Sequence, residues 1–203
     1  MARLPSGAAE PSCRCDPIRF LEAQTGGRRV ALVILPTERD PRLITVRRGG
    51  TLLDADHHLL AVWAADCAEH VLDHFERVRP DDHRLRQAID GTHAWVRGEV
   101  RMGDARKAAF ASNAAAREVR GAAKFAALAA GQAAAVAHVA AHELGAAAYA
   151  IRAVGVAAPA SERDEAGRQE CHWQREQLPD AIRDLVLDDQ WQRNDICWGV
   201  FAC

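Results

Sequence analysis

The sequence predicts an all-α fold. It is read as a single helical domain of about seven helices with Ala-rich central helices, preceded by a short N-terminal β-hairpin and an irregular arm. Three observations carry this. The stretch from Asp104 to Ala158 is dominated by alanine, holds glycine at 121, 131, 145 and 155, and meets no proline until Pro159. Alanine is the strongest intrinsic helix former. Beyond Thr51, apolar residues recur at helical spacing, and Pro80, Gly98, Gly121, Pro159 and Pro179 punctuate the chain as helix stops.

Composition narrows the function. A chain of 203 residues suits one domain with a sizeable core. Its formal charge is −2 and its basic residues are spread along the chain, so no nucleic-acid footprint is present. The first thirty residues hold no secretory apolar run. The Ala-rich stretch is weakly hydrophobic and broken by His138, His142 and Glu143, which disfavours a membrane span of about 20 apolar residues. A soluble, cytoplasmic protein with neither nucleic-acid nor membrane partner is expected. The six cysteines, at 13, 15, 67, 171, 197 and 203, lack a zinc-like pair of pairs and are expected as reduced thiols.

Residues 1–28 form the irregular arm, rich in Pro and Gly with no sustained period. Cys13-Arg14-Cys15 within it lacks the second pair that a soft-metal site needs, so incidental thiols are the favoured reading. Residues 29–50 form the strand segment: Val30–Leu35 and Leu43–Val46 are β-branched apolar runs separated by turn residues Pro36–Pro41. The helical domain occupies residues 51–203.

Thr51-Leu-Leu-Asp54 is a capping pattern that opens a helix running to about Val78, with Leu60, Trp63, Ala64, Cys67, Val71, Phe75 and Val78 on one side. Asp81 or Asp82 caps a second helix reaching Arg97, packed through Ala88, Ile89 and Trp95. Gly103-Asp104 opens a third, ending before Gly121. From Ala122 to Ala157 the pattern allows one helix or two. Single helices of that length are uncommon in globular domains, so a break near Ala141–Glu143 is expected. Phe125, Leu128, Val136 and Val139 share one face there with Gln132 at its centre, and the back is nearly all alanine. Ser161 caps a polar helix reaching Leu178, and Pro179-Asp180 starts the last one, whose Ile182, Leu185, Val186, Ile196 and Val200 lie roughly together.

No P-loop, G-x-G-x-x-G, G-x-S-x-G or H-E-x-x-H motif is present, and no catalytic residue, cofactor or metal is assigned. Asp66, His70 and His74 stand at i, i+4, i+8, and His138 and His142 are the further candidates for a polar pocket. Bundle metal sites use inward carboxylates and histidines. The carboxylate-x-x-His pattern is missing from the central helices, so hydrogen-bonded core histidines are favoured over ligands. Asp82, Arg84, Arg86 and Arg117 are the candidate binding residues, because guanidinium forks match carboxylates bidentately; ordinary surface pairing is the competing reading. Cys197 is expected to be a buried thiol, and Trp173, Trp191 and Trp198 are expected to lie against the core.

Several of these residues carry a family likeness. Ala65-Asp-Cys-Ala-Glu69 with Phe75-Glu76, Pro80-Asp-Asp-His-Arg-Leu-Arg-Gln-Ala-Ile89, Ala137-His-Val139, His142-Glu-Leu-Gly145 and Trp173-Gln-Arg-Glu-Gln-Leu-Pro179 resemble the immunity proteins of bacterial polymorphic toxin systems. The likeness covers about residues 42–203. The chain departs from the family pattern at Leu85, where proline is usual, and at Ala141, where aspartate is usual. The resemblance implies a non-enzymatic protein-binding module that neutralises a cognate toxin. The rival reading is a helical-bundle enzyme or small-molecule-binding protein with a pocket lined by Asp66, His70, His74, His138 and His142. An enzyme needs convergent polar groups in a cavity; an immunity protein needs a complementary outer surface.

Overall fold

The structure is a computed structural model that describes residues 35, 36 and 38–203. Among the described residues there are seven α-helices of 13 to 17 residues and one four-residue helical turn. In order they are α1 (Asp54–His70), the turn α2 (Asp73–Glu76), α3 (Arg84–Val96), α4 (Met102–Ala116), α5 (Gly121–Ala135), α6 (Glu143–Ala157), α7 (Arg163–Glu176) and α8 (Asp180–Arg193). None of them is long and apolar enough to cross a membrane.

The Ala-rich pair α5 and α6 sits at the centre. Helix α5 packs on α1, α2, α3, α4 and α6, and α6 packs on α1, α5, α7 and α8. The alanine side faces inward: Ala126, Ala127, Ala129, Ala130, Ala133 and Ala134 are fully buried. Phe125 and Leu128, on the face with the larger side chains, are only partly buried. A methyl group contributes little area, so such a helix gains stability by letting many neighbours approach closely, through numerous small dispersion contacts. Gly131 marks a close approach of α5 to α4. A Cβ there would lie 2.6 Å from Asn113 Oδ1 on α4.

The central stretch is two helices. The break begins at Val136 and runs through a 3-10 turn, Ala140–His142, so it starts earlier than Ala141. The first helix also differs from expectation. It stops at His70, and Val71 leaves helical geometry before the turn α2. Leu60, Trp63, Ala64, Cys67, Val71 and Phe75 are buried as expected, whereas Val78, beyond this reorientation, is 61% exposed. Thr51 does not cap α1. Its amide donates to Pro41 O at 3.0 Å and Leu53 occupies the cap position without a side-chain bond.

Most of the expected hairpin, Val30–Ile34, lies outside the described residues, as do residues 1–28. Leu43–Val46 contributes to two 3-10 turns, Pro41–Leu43 and Val46–Arg48, and to an isolated parallel bridge between Thr45 and Leu52. Asp40 accepts from the Arg42 amide at 2.8 Å and caps the first turn.

Beyond α8 the tail folds back on α7. Arg175 donates to Phe201 O at 2.9 Å and to Cys203 O at 2.8 Å, and Cys203 is disulfide-bonded to Cys171. This corrects the expectation of six reduced thiols: spacing along the chain carries no information about two cysteines 32 residues apart that tertiary folding brings together. Cys67 and Cys197 are free and buried.

Candidate functional site

The start of α3 brings together Asp82, Arg84 and Arg86, but with partners of their own. Arg84 Nε donates to Asp82 Oδ1 at 2.8 Å, and its two terminal nitrogens each lie 2.9 Å from a Glu118 oxygen. Arg79 also reaches Glu118, at 2.6 Å. Arg86 makes a two-point contact with Glu76, at 2.9 and 3.0 Å. The hydrogen bonds from Arg84 hold the Asp82 and Glu118 carboxyls below their usual range. Arg117, at the end of α4, is exposed, and its side chain makes no hydrogen bond or ion pair with the described residues. Three of the four candidate binding residues thus belong to internal pairs.

The histidine and aspartate set is divided. Asp66 is half-buried and its carboxyl is pushed up by burial, partly offset by His93. His70 Nδ1 donates to the buried Glu170 at 2.8 Å and stacks on Trp173 at 3.7 Å. His74 falls on the turn α2, past the end of α1, so the i, i+8 ladder is broken by the backbone. His138 and His142 are neighbours, with ring centroids 5.1 Å apart, and His142 Nδ1 donates to Gln132 Oε1 at 2.7 Å. His70 borders a shallow hollow of about 330 Å³ with Gln169, Glu170 and Trp173. His138 borders a different cavity, of about 470 Å³. Among the described residues no three His, Cys, Asp or Glu side chains converge where a metal ion could sit.

Two features escaped the sequence reading. The first is a buried charge cluster: Arg193 donates to Asp189 Oδ1 at 2.7 Å, to Glu143 Oε1 at 3.0 Å and to Ala141 O at 2.9 Å. The only hint was the helical spacing of Asp189 and Arg193. The second is Arg152, whose guanidinium lies 4.4 Å from the ring centres of both Phe125 and Trp198. Cation–π contacts of this kind leave no periodic mark in a sequence.

Trp191 is 81% exposed, which corrects its assignment to the core. The inward positions of α8 are Ile182, Val186, Asp189, Gln190 and Arg193. Trp191 therefore falls on the outer face, within one helical sector of Asp184 and Asp188, with Asp195 just beyond the helix end. Ile196, 40% exposed, also leaves the expected apolar line because α8 ends at Arg193. Trp173 and Trp198 are partly buried.

Residues 50–181 match the family described as "Imm-5 like putative immunity protein". The chain belongs to the Imm-5 like family. No curated protein and no solved structure matches it. The Imm-5 like match spans α1 to α7 and ends at the beginning of α8. It therefore contains the alanine-packed centre and the α3 network, whereas Trp191 and Cys203 lie past its end. As an immunity-type module, this Imm-5 like protein has a protein partner in general terms, so its exposed surfaces are where recognition has to be sought.

Proposed function

We propose that this chain neutralises a cognate toxin by binding it, as a non-enzymatic module, and that Trp191 is the centre of the contact. The observation that carries the reading is an indole 81% exposed on α8 of an Imm-5 like protein. Tryptophan is the residue type most enriched among interface hot spots, and leaving so large an apolar ring in water is unfavourable until a partner covers it. Asp184 and Asp195 are exposed on the same side, while Asp188 there is already paired with Arg42, so the two aspartates without a partner among the described residues favour a basic toxin surface.

The start of α3 is the competing contact surface. There the guanidiniums of Arg84 and Arg86 already hold Asp82, Glu118 and Glu76, so a partner's carboxylates would have to displace internal ones. Arg117 alone is available without that exchange. Trp191 carries no such cost.

Co-expression with a candidate cognate toxin domain, sought first among the neighbouring genes, tests both parts. Growth should be rescued by the wild-type chain, Trp191→Asp should abolish rescue with an unchanged melting temperature, and Arg84→Ala with Arg86→Ala should retain it. Failure of the wild-type chain to rescue growth refutes the immunity reading. Rescue that survives Trp191→Asp but not the double arginine variant moves the contact to α3.

A further inference from the structure

We propose that the cavity beside His138 is a binding site for a small organic phosphate monoester. Arg39, Arg47 and Arg48 line it, and among the described residues no Asp or Glu does. Arg47 is neutralised by Asp54, 3.0 Å away. Arg48 spends one N–H on the carbonyl of His138, at 2.8 Å, which orients the group without cancelling its charge. Arg39 is exposed and makes no hydrogen bond or ion pair with the described residues. Two positive charges therefore remain, which matches the roughly −1.5 to −2 charge of a phosphate monoester at neutral pH.

Guanidinium forks suit phosphate oxygens geometrically. His138 lines the same cavity. Burial depresses the His138 pKa, and Arg106, Arg48 and Arg39 add to the effect. Thr45 and His57 also line it, and Leu43, Ile44, Trp95, Met102 and Val139 offer an apolar surface for the body of the molecule. A volume of about 470 Å³ falls within the range of small-molecule sites. A single carboxylate from a protein partner would leave one positive charge and most of that volume unmatched. The site shares no residue with α8, so it stands or falls separately from the Trp191 contact.

Calorimetric titration of the full chain tests this with AMP, flavin mononucleotide and glucose 6-phosphate, each beside its dephosphorylated form. Inorganic phosphate and a pentaglutamate peptide complete the set. At least one ester should bind with Kd below about 1 mM, its dephosphorylated form should not, and Arg39→Ala and Arg48→Gln should each weaken binding about tenfold or more at unchanged melting temperature. The proposal is overturned if no ester reaches that affinity, if an ester and its dephosphorylated form bind equally, or if Arg39→Ala binds like the wild type. Inorganic phosphate binding as tightly as the best ester overturns it as well. Pentaglutamate binding more tightly than every ester would assign the cavity to a partner's acidic side chains instead.

Discussion

Arg193 Nη2 lies 3.0 Å from Glu143 Oε1, and this bond ties the last turn of α8 to the first turn of α6. Both residues are buried, and Asp189 supplies a second carboxylate to the same guanidinium. One cation cannot neutralise two carboxylates. Burial pushes the Glu143 carboxyl well above its ordinary value; Arg193 pulls it down and Asp189 pushes it up. The folded state thus holds a proton that the unfolded chain releases near the ordinary carboxyl value of 4.5. The sign follows: the contribution is fully present below that pH and is lost as pH rises toward the elevated folded value.

The first prediction is a stability contribution from this group that declines as pH rises above its ordinary carboxyl value. Glu143→Gln, which mimics the protonated form, should remove that slope in urea melts. A slope unchanged by the substitution would show that Glu143 is ionised in the folded protein. Arg193→Ala should cost about 3–5 kcal/mol, the usual cost of stranding a buried charge.

The second prediction concerns His142. Burial, and then His138, Arg193 and Arg39, push its imidazole down to about 4. Its neutral ring donates from Nδ1 to Gln132. The unfolded chain takes up a proton near pH 6.5 while the folded one does not, so stability falls as pH drops from about 6.5 toward 4. An imidazole resonance of His142 that titrates near 6.5 in a folded sample would contradict this.

The third prediction concerns packing. Ala134 is fully buried on α5. Ala134→Leu should cost about 1–3 kcal/mol through overpacking. Ala181→Leu, on the exposed start of α8, should stay within about 0.5 kcal/mol of the wild type. Equal melting temperatures for the two variants would remove the close-packed role of α5.

The fourth prediction concerns the disulfide. Denatured protein should titrate two more thiols after reduction than before, from Cys171 and Cys203. Cys171→Ser with Cys203→Ser should lose roughly 2–4 kcal/mol, because a closed loop restricts the unfolded chain. The tail also has Arg175 to hold it, through the carbonyls of Phe201 and Cys203, so it should remain folded without the bridge. An equal thiol count with and without reductant would show that the bridge does not form.

By itself the sequence determined the helical class, the punctuation near Pro80, Gly98, Gly121, Pro159 and Pro179, the buried alanine centre, and the residues that carry the family likeness. Helix propensity, Gly and Pro geometry and 3.6-residue periodicity are local properties, so they can be read without a neighbour. Only the tertiary structure decided that α1 ends at His70, that Arg84 and Arg86 are held by Glu118 and Glu76, and that His70 and His138 border different cavities. It also decided that Cys171 meets Cys203, that Arg193 reaches back 50 residues to Glu143, and that Trp191 faces outward. Periodicity says which side chains share a face of one helix. What lies against that face depends on the axes and rotations of the helices around it, and no single segment of the chain encodes those.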